Sequence, residues 1–311
     1  MRIVFMGTPD FAVPSFLALH DAGYEIVGVF TQPDRPKGRG NKLTPSPVKT
    51  EAVRLGIPVY QPAKIRLESV EDLRALKPDV CVTAAFGQLL SQELLDIPHL
   101  GTVNVHASLL PKHRGSAPIA WSLIMGDRVT GVTTMLTDKG MDTGAMLLKQ
   151  EVPIEPEDTC GSLTEKLSVI GAELLIRTLR MMEDGTLVPE PQNEAEATYE
   201  KKLTKEMGIL DWSRPAKELH DLVRGLSPWP GTVMHLDGQP IKVLRTEAID
   251  GCGKAGTILA ADPKNGLVIA AGEGALRILM LQAPGKKAMN GSDWLRGHSV
   301  TAKQVDKGEQ V

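Results

Sequence analysis

Aromatic residues are scarce: phenylalanine, tryptophan and tyrosine make up 4% of the 311 residues. Any core must therefore be aliphatic, drawn from the 42% of residues that are hydrophobic. Cysteine is scarcer still. Cys81, Cys160 and Cys252 are scattered, with no Cys-x-x-Cys pair, which excludes a disulfide framework and offers no zinc-ligand spacing. Free thiols suit a reducing compartment. Cys81, within Val80-Cys81-Val82-Thr83-Ala84, reads as a small core residue. No stretch approaches the roughly 18 apolar residues of a membrane helix. The opening Met1-Arg2-Ile3-Val4-Phe5-Met6-Gly7 is too short for the apolar core of a signal peptide, so a cytoplasmic location is expected, with no membrane partner. Tandem repeats and low-complexity tracts are absent. A basic excess is lacking too. Lysine and arginine total 35 against 38 aspartate and glutamate, a net charge of −3. That balance argues, for the chain as a whole, against a nucleic-acid partner.

What the chain does have is alternation. Its length suggests about two domains. Ile3 to Met6 is an apolar run broken by Gly7-Thr8-Pro9-Asp10, followed by a helical stretch from Pro14 to Ala22 and a second strand from Glu25 to Thr31. Strand, helix, strand at this spacing is a βαβ unit with a right-handed crossover. Further strands are expected at Val59-Tyr60, Val80 to Ala85, Thr102 to His106, Val129 to Leu136 and Ala145 to Val152. Helices are expected at Thr50 to Leu55, Glu68 to Leu76, Leu89 to Leu95, Ala117 to Met125 and Ser162 to Asp184. The run at 80–85 is apolar throughout, as both faces of a covered parallel sheet require. The fold class is α/β, a Rossmann-like, mostly parallel sheet domain.

Gln32 to Lys49 interrupts the alternation. It is rich in proline, glycine and basic residues and reads as a long loop, a feature that is often functional. After residue 188 the chain turns polar and proline-containing. Beyond it, short β-rich runs alternate with Asp237-Gly238, Asn265-Gly266 and Glu273-Gly274. Hairpins at that spacing suggest a small antiparallel OB-like barrel. The expected organisation is a catalytic domain at 1–189, a linker at 190–204 and a barrel at 205–311.

The densest segment is Asn104-Val105-His106-Ala107-Ser108-Leu109-Leu110-Pro111-Lys112-His113-Arg114-Gly115. It starts at the carboxyl end of a strand, where open α/β sheets bind ligands. Asn104 and His106 are two apart and project to one side. A neutral amide donor beside an imidazole suits a developing oxyanion. The alternative is a strand-end pair that only satisfies loop backbone groups, and the pattern does not separate the two. A second segment, Asp138-Lys139-Gly140-Met141-Asp142-Thr143-Gly144, contains the Asp-Thr-Gly of aspartic proteases. Those enzymes need two copies on an all-β fold, whereas here there is one copy within an α/β domain. A plain turn, or a loop carboxylate that orients an imidazole, both remain open.

Asn104, His106 and Ser108-Leu109-Leu110-Pro111, with Asp142 downstream, resemble the folate-dependent formyltransferase superfamily. Gly7-Thr8-Pro9-Asp10-Phe11, Ala84-Ala85-Phe86-Gly87-Gln88 and the second domain look like the branch acting on charged initiator tRNA, over essentially the whole chain. The resemblance implies an enzyme of translation initiation. It would move the formyl group of 10-formyltetrahydrofolate, its co-substrate, to the α-amine of methionyl-initiator tRNA. Asn104, His106 and Asp142 would be the catalytic trio: Asn104 and charged His106 stabilising the oxyanion, Asp142 holding His106 and relaying a proton. Ser108, Leu109, Leu110 and Pro111 would bind folate near Phe86 to Leu90, with Leu110-Pro111 cis. A monomer is expected, and no metal is needed.

The charge then has to be read locally. Residues 35–49 hold five basic side chains, among them Arg35, Lys37, Arg39 and Lys42, and no acidic one. An ordinary solvated loop is the plain interpretation. The resemblance makes it a grip on tRNA, with Arg39 as its key arginine. Residues 205–311 carry a net +2 and residues 1–204 a net −5, which permits backbone binding by the second domain. Two rivals are a formyltransferase acting on an amino sugar nucleotide and a non-catalytic folate- or RNA-binding module. The basic loop disfavours the first, the complete trio the second.

Overall fold

A seven-stranded sheet organises the first half of the chain in a computed structural model that describes residues 1–37, 40 and 42–305. In chain order its strands are β1 (Arg2–Gly7) and β2 (Glu25–Phe30). A separate hairpin, β3 (Arg35–Lys37) with β4 (Lys42–Thr44), intervenes. Then come β5 (Val59–Tyr60), β6 (Val80–Ala84) and β7 (Thr102–His106). A two-residue strand, β8 (Arg114–Gly115), precedes β9 (Val129–Leu136) and β10 (Met146–Pro153). The sheet order is β10-β9-β7-β6-β1-β2-β5. The five strands from β7 to β5 are parallel, while β9 and β10 run antiparallel. The expected α/β class and mostly parallel sheet are what the structure has.

Helices α1 (Val13–Asp21), α2 (Pro47–Arg54), α3 (Ile65–Glu68), α4 (Val70–Leu76) and α5 (Gln92–Leu95) link the parallel strands. They are followed by α6 (Pro118–Ile124) and the 24-residue α7 (Cys160–Glu183). Ile3, Val4, Phe5 and Met6 are wholly inaccessible to solvent, because β1 lies mid-sheet with both faces covered. Val4, Met6, Phe30, Ile65, Leu73, Cys81, Phe86 and Leu94 form one cluster. Burial pushes the Cys81 thiol above its ordinary value, so it packs as a small apolar side chain.

The segment read as a long loop at 32–49 is more ordered than expected. Arg35, Pro36 and Lys37 pair with Thr44, Leu43 and Lys42. Helix α2 begins at Pro47, three residues earlier than the sequence suggested. Ser46 is its N-cap, accepting from the Lys49 amide, and Pro47 occupies a first-turn position that needs no donor.

The contacts divide the chain into two units. The first holds 1–118, 129–153 and 164–200, and the second holds 119–128, 154–163 and 201–311. Residues 199–200 form β11 (Tyr199–Glu200), which pairs in parallel with β8. The leading part of the segment expected as a linker therefore belongs to the first unit.

The second unit is built on antiparallel strands: β12 (Thr232–Leu236), β13 (Gln239–Ile249), β14 (Ile258–Asp262), β15 (Gly266–Ala270), β16 (Ala275–Gln282) and β17 (Met289–Asn290). Their order is β12-β13-β16-β15-β14, with β17 on β16. Asp237 and Gly238 both have positive φ, 49° and 71°, the turn whose twist suits a two-residue hairpin. Helix α8 (Ala216–Gly225) buries Leu219, Leu222 and Val223, and α9 (Gly291–Gly297) buries Trp294 and Leu295. No helix among the described residues is long and apolar enough to cross a membrane.

Candidate active site

Asn104 and His106 lie on β7 at the edge of the parallel part of the sheet. Thr83, on neighbouring β6, donates its Oγ1 hydrogen to Asn104 Oδ1 at 2.8 Å. With Oδ1 occupied, the amide orientation is fixed. Among the described residues no hydrogen bond occupies Nδ2, which is left to donate outward. His106 is 6% exposed. Its Nε2 donates to the carbonyl oxygen of His113 at 3.0 Å, which turns Nδ1 toward Asp142.

The loop after β7 is braced from inside. Ser108 is fully buried, and its Oγ donates to the Lys112 carbonyl at 2.6 Å. Thr133 on β9 donates to the Ser108 carbonyl and accepts from the Leu110 amide. Leu110 packs with Met135 and Met146, and the Leu110-Pro111 bond is cis. Leu109 is half-buried and Pro111 buried. Ser108 and Leu110 thus spend their side chains shaping the loop. His113 has a φ of 56°, and its Nδ1 donates to Glu200 Oε1 at 2.8 Å.

Asp142 reaches the site by an indirect route. Strand β9 ends beside the start of β7, where the Thr137 amide donates to the Thr102 carbonyl. Yet Asp142 Oδ1 stands 3.7 Å from His106 Nδ1, at the other end of β7. Five extended residues span about 13 Å, so the 137–145 loop doubles back over that length. Its carboxylate is held by the Gly115 amide, which donates to Oδ2 at 2.8 Å. Gln192 Nε2 donates to the Asp142 carbonyl at 2.7 Å and the Gly144 carbonyl at 2.8 Å.

Gln192 is itself fixed. Its Oε1 accepts from Arg114 Nε at 2.9 Å. The Arg114 side chain is fully buried, donates both Nη groups to Glu194, and donates Nη1 to the Tyr199 hydroxyl at 2.6 Å. The pairing raises the Arg114 guanidinium above its ordinary value and holds the Glu194 carboxyl below the usual range.

The expected tRNA contacts lie apart from this centre in sequence. Arg35 and Lys42 are exposed at the two ends of the β3–β4 pairing, and Arg35 Nη2 donates to Gln32 Oε1. Lys37 lies on β3, and Arg39 falls outside the described residues. Lys49 is not a free cation: its Nζ lies 2.7 Å from Asp34 Oδ2 and donates to Gln61. Phe86 packs into the core and Leu89 is exposed.

The formyl transferase family matches residues 1–179, and the C-terminal domain of formyl transferases matches residues 202–299. A methionyl-tRNA formyltransferase of Trichlorobacter lovleyi is 52% identical over 300 residues, covering 96% of this chain and 95% of the relative. One of Bacillus subtilis is 51% identical over 308 residues, covering 98% and 97%. The chain belongs to the methionyl-tRNA formyltransferase family. Solved structures share the fold at lower identity. An N-formyltransferase from Helicobacter canadensis, in complex with folinic acid and dTDP-3-aminofucose, aligns with a TM-score of 0.69 at 17% identity, over 91% of this chain and 98% of that one. HypX from Aquifex aeolicus aligns at 0.64 and 19% over 96% of this chain, which spans about half of that protein, 47%.

Within this member of the family, the structure brings Asn104, His106 and Asp142 to one place with supports that sequence reading missed. Thr83 stood in an apolar strand and gave no signal. Gln192 and Glu194 sat in a polar, proline-containing stretch that looked like a tether. Arg114 carried one usable signal: an arginine followed by glycine, inside a segment otherwise rich in apolar and small residues.

Proposed function

We propose that the chain transfers the formyl group of 10-formyltetrahydrofolate to the α-amine of methionyl-initiator tRNA, with Asn104, His106 and Asp142 as its catalytic residues. The observation that carries the reading is the full-length identity of about half to methionyl-tRNA formyltransferases, together with a buried imidazole flanked by an oriented amide and a carboxylate.

The amine attacks as the neutral base, since an ammonium has no lone pair. A free α-amino group titrates near 7.7–8.0, so little help is required. Asn104 Nδ2 would donate to the formyl oxygen as negative charge develops there, and the imidazolium of His106, its Nε2 held by the His113 carbonyl, would add positive charge beside it. Asp142 keeps His106 oriented and carries the proton lost by the amine, through water, to the departing folate nitrogen. One carbon–nitrogen bond forms as another breaks, and the proton follows the leaving group.

The Ser108 to Pro111 loop and the segment from Phe86 to Leu90 would border the folate. Leu109, Leu89 and Leu90 are the leucines with accessible surface there. Arg35, Lys37, Arg39 and Lys42 would grip the phosphates of the acceptor end. The first unit, which includes residues 190–200, would then carry catalysis, and residues 205–311 would bind the body of the tRNA. Such an enzyme works as a cytoplasmic monomer.

The test is incorporation of radiolabelled formyl from 10-formyltetrahydrofolate into methionyl-tRNA, with uncharged tRNA and amino-sugar nucleotides as controls. Label in methionyl-tRNA alone supports the reading. Label in the sugar nucleotide, with none in tRNA, overturns it.

A further inference from the structure

The bonds that place Asp142 come from outside its own loop. Asp142 has a φ of 55°, in the left-handed region that few residues beyond glycine, asparagine and aspartate adopt. Such a backbone persists where the surroundings over-determine it. Two residues on, a Cβ at Gly144 would overlap the Leu136 carbonyl oxygen, so the main chain passes there with no room to spare.

Gln192 spans both points. The two hydrogens of its Nε2 go to the carbonyls of Asp142 and Gly144, and its Oε1 receives Arg114 Nε. All three contacts require an amide: a carboxylate has no hydrogens for the carbonyls, and an amine has no acceptor for the guanidinium. Arg114 is in turn clamped by Glu194 and Tyr199. The adjacent Gly115 amide holds the Asp142 carboxylate. One dipeptide therefore governs the main chain of Asp142 through Gln192 and its side chain directly.

We propose that Gln192, oriented by Arg114, is a positioning residue for formyl transfer. It fixes the Asp142 main chain so that the carboxylate stands against His106. The inference rests on the reading of Asp142 as a participant in the reaction. It assigns a part in catalysis to the segment that otherwise resembles a connector.

The decisive substitution is Gln192→Glu. It keeps the side-chain length and the partner for Arg114, but sets oxygen against the two carbonyls. Displacing a reacting group by an ångström can cost about 100-fold. The expected result is a fall in kcat of roughly 10- to 100-fold, with KM for methionyl-tRNA and for the folate donor essentially unchanged and the thermal unfolding midpoint close to that of the parent. The same substitution is made in an Asp142→Asn background, where no carboxylate remains to be placed. There it should cost little further. If Gln192→Glu does not fold, Gln192→Met, of similar length but without donors, carries the same comparison. An active parent whose variant keeps its kcat, changes only in KM, or falls by the same factor in both backgrounds overturns the inference alone. A parent that fails to formylate methionyl-tRNA overturns the functional reading beneath it.

Discussion

Thr83 Oγ1 lies 2.8 Å from Asn104 Oδ1, across neighbouring parallel strands. This one bond decides which end of the Asn104 amide faces out. Removing the hydroxyl with Thr83→Val should free the amide to flip, at the expense of one hydrogen bond worth about 1 kcal/mol, or roughly fivefold in kcat. Asn104→Asp should be harsher, about 100- to 1,000-fold, because the outward donor itself is gone. Steady-state kinetics on both variants checks the order, and a Thr83→Val enzyme slower than Asn104→Asp would contradict it.

Asp142→Asn keeps the shape of the carboxylate but not its charge or its capacity for a proton. Turnover should fall by about 100-fold or more, the scale of acid–base assistance, while the fold survives. Near-full activity in this variant would remove Asp142 from the proton path.

The hairpin and its cations make a separable prediction. Arg35→Ala, Arg39→Ala and Lys42→Ala should each weaken tRNA binding. Each should also flatten the salt dependence, by about 0.7–0.9 in the logarithmic slope for every phosphate no longer neutralised. Lys49→Ala should leave that slope alone, since its ammonium is already paired with Asp34 and bonded to Gln61. Equal slopes for the parent and all four variants would dismiss the hairpin as a phosphate grip.

His220, on α8, gives a pH effect on stability in the second unit. Burial first, then the nearby Arg224, push its imidazole below the ordinary 6.5. Lys217 acts in the same direction, with Asp221 and Glu157 opposing. The folded chain therefore resists a proton that the unfolded chain accepts. Stability should fall as pH drops below about 6.5, levelling off beneath the folded value. His220→Gln should show a smaller decline between pH 7.5 and 5.5 in urea unfolding. Identical declines in variant and parent would refute the assignment.

The alternation of the first half was legible because burial on both faces of a parallel sheet writes itself as runs such as 80–84. Asn104 and His106 stood out as candidates because strand ends bind ligands, although the pattern did not separate a catalytic pair from support of the loop. The β3–β4 pairing was not, since Pro36 and three flanking cations leave no alternating apolar pattern to read. Lys49 was one of the five basic side chains in a stretch counted as acid-free from residue 35, one position past its partner Asp34. The residues alone left Asp142 open between a plain turn and a loop carboxylate that orients an imidazole. Its place beside His106 depends on a loop that doubles back and on partners at 115 and 192, and only the family resemblance favoured one reading over the other.

The pairing of β8 with β11 also sets an order of events during synthesis. Asn104 and His106 are made early, yet the Glu200 that anchors His113 follows 87 residues after it. Contacts this distant in the chain form late, after local helices and hairpins. A nascent chain that has emerged only to residue 189 would hold all three of the side chains proposed to be catalytic and none of Gln192, Glu194 or Glu200. The enzyme should therefore acquire its secondary structure well before it acquires turnover.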